Sequence, residues 1–171
     1  VRGVSGAVFN FKVDKALTEK VNKFSQKNGV SLYMTLLATF NVLLNRYTGQ
    51  KDIGIGASIA NRTQKEVEGL IGFLVNTLTF RNEVEPDEMF NRLLEKVKRT
   101  TLEAYENQDV PFEKLVEILV KQRDPSRSPL FQVMLVLLNT PEKDTLKFGK
   151  AEVIAEPFLN RIAKFDLTYH V

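Results

Sequence analysis

The chain has 171 residues, of which 43% are hydrophobic and 26% charged, and its formal net charge is +3; these values indicate one globular domain rather than a disordered chain. It contains no cysteine and one histidine, which excludes disulfides and cysteine-bound metals and leaves almost nothing for a histidine metal site or a Ser-His-Asp triad. No apolar run approaches the ~20 residues of a membrane span, and basic and acidic residues are interspersed, so we expect neither a membrane nor a nucleic acid as a partner.

The first predicted elements are a strand and two helices. Alternating apolar and polar side chains predict a strand over residues 7–13. Asp14 is the expected N-cap of a helix that ends near Gly29, and Ser31 is the expected N-cap of a second helix that ends near Gly49. The second helix is apolar around most of its girth, so we expect it to be buried.

Two strands separated by a polar loop follow. The first covers residues 52–59 and contains Gly54 and Gly56, and glycines inside a strand indicate that another backbone or a ligand approaches closely. A Gly-x-Gly pair without a third glycine that opens a helix is only a weak sign of dinucleotide binding. The polar loop covers residues 61–69, and β-branched and aromatic residues predict the second strand over residues 73–81.

Two helices are predicted in the middle of the chain. Pro86 is expected in the first turn of a long helix that runs to about Tyr105, because the missing proline N–H is not needed there. Pro111 is expected to begin a shorter helix over residues 112–120.

The last third is dominated by strands. Residues 130–139 predict a strongly apolar, central strand. A loop-like segment at 140–150 precedes two further predicted strands, at 151–155 and 165–171. Because strands alternate with long helices, the sequence predicts an α/β fold with a mixed sheet covered by helices.

Candidate catalytic groups are few. Glu66 and Glu68 could form a pair of carboxylates, but neighbouring acidic residues in a polar loop are more often solvated. His170, next to the last residue, is expected to lie on the terminal strand without a chemical role. We therefore predict no metal site.

Polar residues occupy unusual positions in three segments. Asn76 and Thr77 lie inside an apolar strand, and burying an amide without partners costs about 1–3 kcal/mol, so Asn76 needs a reason to be there. Gln108 and Asp109 precede the helix that Pro111 begins, and Asp109 is the candidate cap of that helix.

The third segment is a charged turn that leads into the central strand. It contains Arg123, Asp124 and Arg127. Pro125 directly follows Asp124, and Pro129 lies two residues after Arg127. We predict that Asp124 sits in the turn made by Pro125 and that its role is mainly structural.

In this order and spacing, the three segments resemble the downstream signature motifs of nonribosomal peptide synthetase condensation domains. Four shorter strings agree with the resemblance, which covers essentially the whole chain: Tyr47-x-Gly49-Gln50-x-Asp52-Ile53, Ile59-Ala60-Asn61-Arg62, Pro129-Leu130-Phe131-Gln132-Val133 and Lys164-Phe165-Asp166-Leu167-Thr168.

The resemblance implies one half of a chloramphenicol-acetyltransferase-like pair of domains, set in a V with a tunnel between them. The chain begins with Val1 rather than Met and ends inside a predicted strand, so we expect both ends to be cuts in a longer polypeptide. The resemblance implies that residues 1–171 are the C-terminal subdomain, without the N-terminal one. The family's active-site motif, His-His-x-x-x-Asp-Gly, belongs to that other half. We therefore expect no catalytic residue in this chain.

The resemblance implies only a few roles for residues of this chain. Asn76 and Thr77 match positions at the substrate tunnel, residues 61–70 match a floor loop, and residues 140–164 match a latch that crosses to the other half. Gln108, Asp109, Arg123, Asp124 and Arg127 are implied to be structural motif residues.

The resemblance also implies partners: the N-terminal half, donor and acceptor peptidyl carrier proteins, and an adjacent adenylation domain. Substrates would arrive on 4'-phosphopantetheine arms, with no cofactor bound directly, and the product would be a peptide such as an antibiotic. We expect a cytoplasmic location and self-association of the chain. The alternatives are a non-catalytic carrier-protein docking module and an epimerization or free-standing acyltransferase relative of the same fold.

Overall fold

The computed structural model describes residues 3–62, 65–122, 124–138 and 162–171. Four strands form one sheet in the order β2-β1-β3-β4. Strand β1 pairs with β2 antiparallel and with β3 parallel, and β3 pairs with β4 parallel, so the predicted mixed sheet is confirmed. The elements in chain order are α1 (Lys15–Lys27), α2 (Leu32–Thr48), β1 (Asp52–Ile59), α3 (Lys65–Glu68), β2 (Asn76–Glu83), α4 (Phe90–Glu106), α5 (Phe112–Leu119), β3 (Val133–Val136) and β4 (Leu167–His170).

The first two helices begin and end where local sequence predicts. The Leu17 amide donates to Asp14 Oδ1 over 2.7 Å, and the Met34 amide donates to Ser31 Oγ over 3.1 Å. Gly29 and Gly49 have φ of +61° and +70°, the left-handed backbone that glycine adopts without strain at a helix end. Both predicted N-caps are confirmed.

The main core lies between one face of the sheet and helices α2 and α4. Alternate residues of β1 and β2 point to this face because successive strand side chains point to opposite sides. The strands contribute Ile53, Ile55, Ala57, Leu78, Phe80 and Leu135, and the helices contribute Leu37, Ala38, Leu93, Leu94 and Val97. Helix α1 packs on α2, where the Ser25 and Thr35 hydroxyl oxygens lie 2.7 Å apart.

The opposite face of the sheet carries a smaller aromatic cluster. The Phe131 ring lies directly over Gly56, and a Cβ atom added there would overlap it. Gly54 lies under the Leu130 carbonyl, with 3.0 Å between that oxygen and an added Cβ. Phe131 in turn contacts Phe112 and Phe165, with ring centroids 5.6 and 5.2 Å apart. The predicted close approach of another backbone is confirmed at Gly54, whereas at Gly56 the close neighbour is a side chain, the Phe131 ring.

Several predicted strand boundaries are wrong, because a strand needs a partner strand beside it. Residues 7–13 form no strand; the pairing described at this end of the chain is a single bridge between Ser5 and Ile162. Strand β2 begins at Asn76 rather than at residue 73, since its first residue pairs with Ile59, the last residue of β1.

The central strand and the last strand are also shorter than predicted. Leu130 has a φ of +65°, which interrupts the extended backbone, and β3 covers only Val133–Val136. Its interior position in the sheet is confirmed. The predicted loop at 140–150 and strand at 151–155 lie outside the described residues.

Helix α4 begins four residues after Pro86. That proline lies in a turn in which the Glu88 amide donates to the Glu85 carbonyl over 3.1 Å. The Glu88 carboxylate accepts the Glu85 amide over 3.0 Å and pairs with Lys96. These contacts hold the turn closed, so the helix starts only after Met89.

Candidate functional site

Asn76 joins the beginning of β2 to the turn that precedes α5. Its Nδ2 group donates to the Gln108 carbonyl over 2.7 Å and to the Val110 carbonyl over 2.8 Å. Its Oδ1 atom accepts the Phe112 amide over 3.2 Å and the Thr77 amide over 2.8 Å. This set of four hydrogen bonds, which we call the Asn76 clamp, answers why an amide occupies this apolar strand.

The clamp replaces the predicted cap of α5. The N-cap residue is Pro111, which makes no side-chain cap hydrogen bond, and Asp109 is an exposed residue of the preceding turn. Asp109 is therefore not the cap, and that prediction is wrong. Instead the first helical amide, that of Phe112, is satisfied from β2. Gln108 contributes its backbone carbonyl to the clamp.

The charged turn before β3 has the predicted structure. Asp124 Oδ1 accepts the Ser126 amide over 2.9 Å and the Ser126 hydroxyl over 2.6 Å. These two hydrogen bonds hold the pKa of the Asp124 carboxyl below its usual value. Arg127 lies 3.7 Å from the same carboxylate and donates its backbone amide to the Asp124 carbonyl. Arg123 lies outside the described residues.

Helix α5 borders two cavities on the side of the sheet that carries the aromatic cluster. Leu115 and Leu119 line a cavity of about 970 Å³. The neighbouring stripe of the same helix lines a second cavity of about 670 Å³, with Phe112, Val116 and Val120. Asn76 and Thr77 are not among the lining residues of either cavity. The position of α5 therefore shapes both cavities.

The larger cavity has a polar side on β1 and β2. Arg81 donates to both carboxylate oxygens of Asp52, over 2.8 and 2.6 Å. The hydrogen bond from Arg81 lowers the pKa of the Asp52 carboxyl, despite partial desolvation. Beside this pair, the buried Thr79 Oγ1 has no hydrogen-bond partner among the described residues.

The described part of the floor loop is held by a residue that local sequence reasoning missed. Arg62 Nη1 donates to the Val67 carbonyl over 2.5 Å and to the Leu70 carbonyl over 2.8 Å. Directly after these contacts, Ile71 and Phe73 are fully and 90% exposed, respectively. The signal for Arg62 lay in the Ile59-Ala60-Asn61-Arg62 string, but its carbonyl partners could not be deduced from it.

Candidate catalytic groups do not converge in the described residues. His170 is exposed on β4, and Glu66 is exposed on α3. Among residues 3–62, 65–122, 124–138 and 162–171, no group of three or more His, Cys, Asp and Glu side chains could hold a metal ion. Nor does any helix of the described part have the length and apolar character needed to cross a membrane.

The fold and the clamp define an α/β domain in which one sheet face is covered by helices and the other carries α5 and two cavities. The chain belongs to the condensation-domain family, whose family model, described as "Condensation domain", matches residues 1–171. A linear gramicidin synthase protein from Brevibacillus parabrevis is 46% identical over 167 residues. That similarity covers 95% of this chain, which spans only 3% of the synthase protein's length.

Solved structures agree with the family assignment. The condensation domain from the monacolin K polyketide synthase MokA matches with a TM-score of 0.69 and 28% identity, over 74% of this chain and 30% of that one. The X-domain from teicoplanin biosynthesis has a TM-score of 0.80 at 21% identity, over 99% of this chain and 42% of that one. The second similarity concerns the fold alone.

Proposed function

We propose that this chain is the C-terminal half of a nonribosomal peptide synthetase condensation domain, which forms an amide bond between two substrates tethered to carrier proteins. The observation that carries the proposal is the match of the family model to all 171 residues. The 46% identity to a linear gramicidin synthase protein supports the peptide synthetase branch of the family and a peptide antibiotic as product.

The proposed reaction joins an acceptor amine to a donor thioester. The amine nitrogen attacks the thioester carbonyl, a C–N bond forms, the C–S bond breaks, and the donor carrier's thiol is released. Both substrates arrive on 4'-phosphopantetheine arms, so the chain itself binds no cofactor. The His-His-x-x-x-Asp-Gly motif comes from the N-terminal half, in keeping with the single histidine of this chain.

The contribution of this chain is then to position substrates. Holding two reactants in near-attack geometry can contribute about 7–11 kcal/mol to lowering a barrier, without a reactive side chain. The tunnel wall would be formed near Asn76 and Thr77, with the floor loop at residues 61–70 completing it. Apart from residues 162–164, the predicted latch at 140–164 lies outside the described residues. The exposed Ile71 and Phe73 support a covering partner here, since large apolar side chains side by side are seldom left in water.

The proposed partners are the N-terminal half, the donor and acceptor carrier proteins and an adjacent adenylation domain, all in the cytoplasm. The second candidate is a non-catalytic carrier-protein docking module, and the exposed positions of His170 and Glu66 in the described residues fit both candidates. The two candidates differ in whether the complete domain turns over, and not in whether it binds carriers.

A single-turnover assay separates them. The complete domain is mixed with an aminoacyl-loaded donor carrier and an aminoacyl-loaded acceptor carrier, and the dipeptidyl product is quantified by mass spectrometry. We expect product from the complete domain and only the uncatalysed background from residues 1–171 alone. Carrier binding without product from the complete domain would favour the docking module. Product from residues 1–171 alone would contradict the assignment of catalysis to the other half.

A further inference from the structure

Asn76 has no hydrogen-bonding capacity left for a substrate. A side-chain amide offers two N–H donors and two acceptor lone pairs. Both donors are used on the Gln108 and Val110 carbonyls, and both lone pairs are used by the Phe112 and Thr77 amides. The orientation of the amide is unambiguous, because two carbonyls face the nitrogen and two N–H groups face the oxygen. A hydrogen bond from Asn76 to substrate would therefore require breaking one of these bonds.

The Asn76 clamp holds helix α5, which is too short to be stable by itself. Helix α5 has eight residues, and isolated helices of this length are not stable in water. It has no side-chain cap of its own, and Val116 is its one buried residue. At its first residue, the Phe112 ring packs on Phe131 with ring centroids 5.6 Å apart. The helix is thus fixed mainly at its N-terminal end, where the Asn76 clamp attaches.

We propose that Asn76 is a positioning residue that acts on the reaction through α5, and not a residue that touches substrate. By fixing the turn at residues 107–111 and the Phe112 amide, it sets where Leu115 and Leu119 stand in the larger cavity and where Val116 stands in the smaller one. This inference rests on the proposed function, in which the walls of this half hold tethered substrates in place.

The test uses Asn76→Ala in the complete condensation domain, with two measurements. Amide hydrogen exchange reports on α5, and we expect its exchange rates to rise about tenfold or more, because the clamp is lost and α5 has no other cap. Turnover per folded molecule reports on the reaction. Misplacing the wall should lower kcat by about tenfold to a hundredfold, with KM for both carrier-bound substrates changed little and with the same factor for two different donor amino acids.

Two further variants complete the test. Asn28→Ala is the matched control, since it removes an amide whose Nδ2 group donates to the Phe24 carbonyl over 2.8 Å at the end of α1, away from α5; we expect wild-type exchange in α5 and wild-type kcat. Asn76→Asp keeps the side-chain volume and both accepted hydrogen bonds but cannot donate as a carboxylate. It is the variant to measure if Asn76→Ala does not fold, and the same changes are expected in it.

Each combination of exchange and turnover has one meaning. Lower kcat with wild-type exchange in α5 would mean that Asn76 contacts substrate directly, and would overturn the proposal. Faster exchange in α5 with unchanged kcat would overturn it as well, since the position of α5 would then not matter to the reaction. If the wild-type complete domain forms no amide, the proposed function fails, while the exchange measurement still decides whether Asn76 holds α5.

Discussion

Single residues on the aromatic side of the sheet have little room to change. Gly56 lies under the Phe131 ring, so an added methyl group overlaps an aromatic side chain that is only 2% exposed. We expect Gly56→Ala to lower the free energy of unfolding by about 1–3 kcal/mol, the usual cost of overpacking. Chemical denaturation of the purified chain measures it.

Two companion variants test the cause of that loss. Gly72→Ala should change stability little, because no atom lies within 4 Å of an added Cβ there. Phe131→Leu in the Gly56→Ala background should restore part of the loss, since a smaller side chain makes room for the methyl group. If the double variant is less stable than the sum of its single changes implies, the overlap is not what limits this position.

The Asp52–Arg81 pair gives a prediction about pH. The hydrogen bond from Arg81 lowers the pKa of the Asp52 carboxyl in the folded state. The pair therefore contributes stability at pH values above the unfolded-state pKa, and that contribution is lost as the pH falls through the folded-state pKa. We expect Arg81→Gln to raise the pKa of Asp52 toward its ordinary value and to make stability less dependent on pH in the acidic range.

An NMR titration of the Asp52 carboxyl carbon checks this directly. Lys51→Gln is the matched control, because it breaks the neighbouring ion pair with Glu85, 2.7 Å long, and leaves the Arg81 hydrogen bonds in place. An unchanged Asp52 titration in Arg81→Gln would show that the hydrogen bond is not formed in solution, where both side chains are largely exposed.

At the scale of helices and strands, the sequence predicted those helix ends that are fixed by contacts between residues close together in the chain. Asp14 and Ser31 accept amides three residues ahead, so sequence alone identified both caps. The beginning of α5 is set by contacts between residues 32 to 36 positions apart. The sequence could flag Asn76 as an amide in need of partners, but it could not say which carbonyls and amides would provide them.

The predicted ends of the strands other than β1, whose bounds were predicted correctly, were wrong for the same reason. Alternation at residues 7–13 describes a segment that suits a sheet, but whether it becomes a strand depends on a neighbour elsewhere in the chain. Likewise β2 could only begin where β1 offers a partner, at Ile59. The two glycines of β1 were informative because the missing side chain, which makes room for a close neighbour, can be seen in the sequence itself.

The difference between Asp14, which caps a helix, and Asp109, which does not, can be measured. We expect Asp14→Ala to destabilise the chain by about 1 kcal/mol, because the Leu17 amide loses its acceptor. Asp109→Ala should lie within about 0.5 kcal/mol of wild type, as is usual for exposed positions without such a bond. The pair of variants is matched in chemistry and differs in role. Equal losses in thermal unfolding would contradict the capping assignment.

For the whole molecule, the mixed sheet and its helices were predictable because hydrophobic periodicity reports which faces are buried. The cavities were not, since they depend on where α5 rests against the sheet. Likewise two segments of the described residues leave large apolar side chains exposed, which could not be deduced from alternation alone. They are Val8, Phe9, Phe11 and Val13 near the beginning of the chain, and Leu70, Ile71, Phe73 and Val75 from the end of the floor loop onward.

The exposed apolar side chains near the beginning of the chain lead to the prediction that the chain self-associates. Monomeric proteins seldom expose contiguous apolar patches above a few hundred Å², and here Phe9 and Phe11 stack on each other with ring centroids 6.2 Å apart while remaining 85% and 69% exposed. Pairing between two copies would remove these rings from water.

We expect the mass measured by light scattering to rise with concentration, and Phe9→Ser combined with Phe11→Ser to weaken that rise. Tyr47→Ser is the matched control, since Tyr47 is equally exposed, at 85%, on the last turn of α2. A monomer at all concentrations up to the millimolar range, or an equal effect of the control, would show that this segment does not drive association.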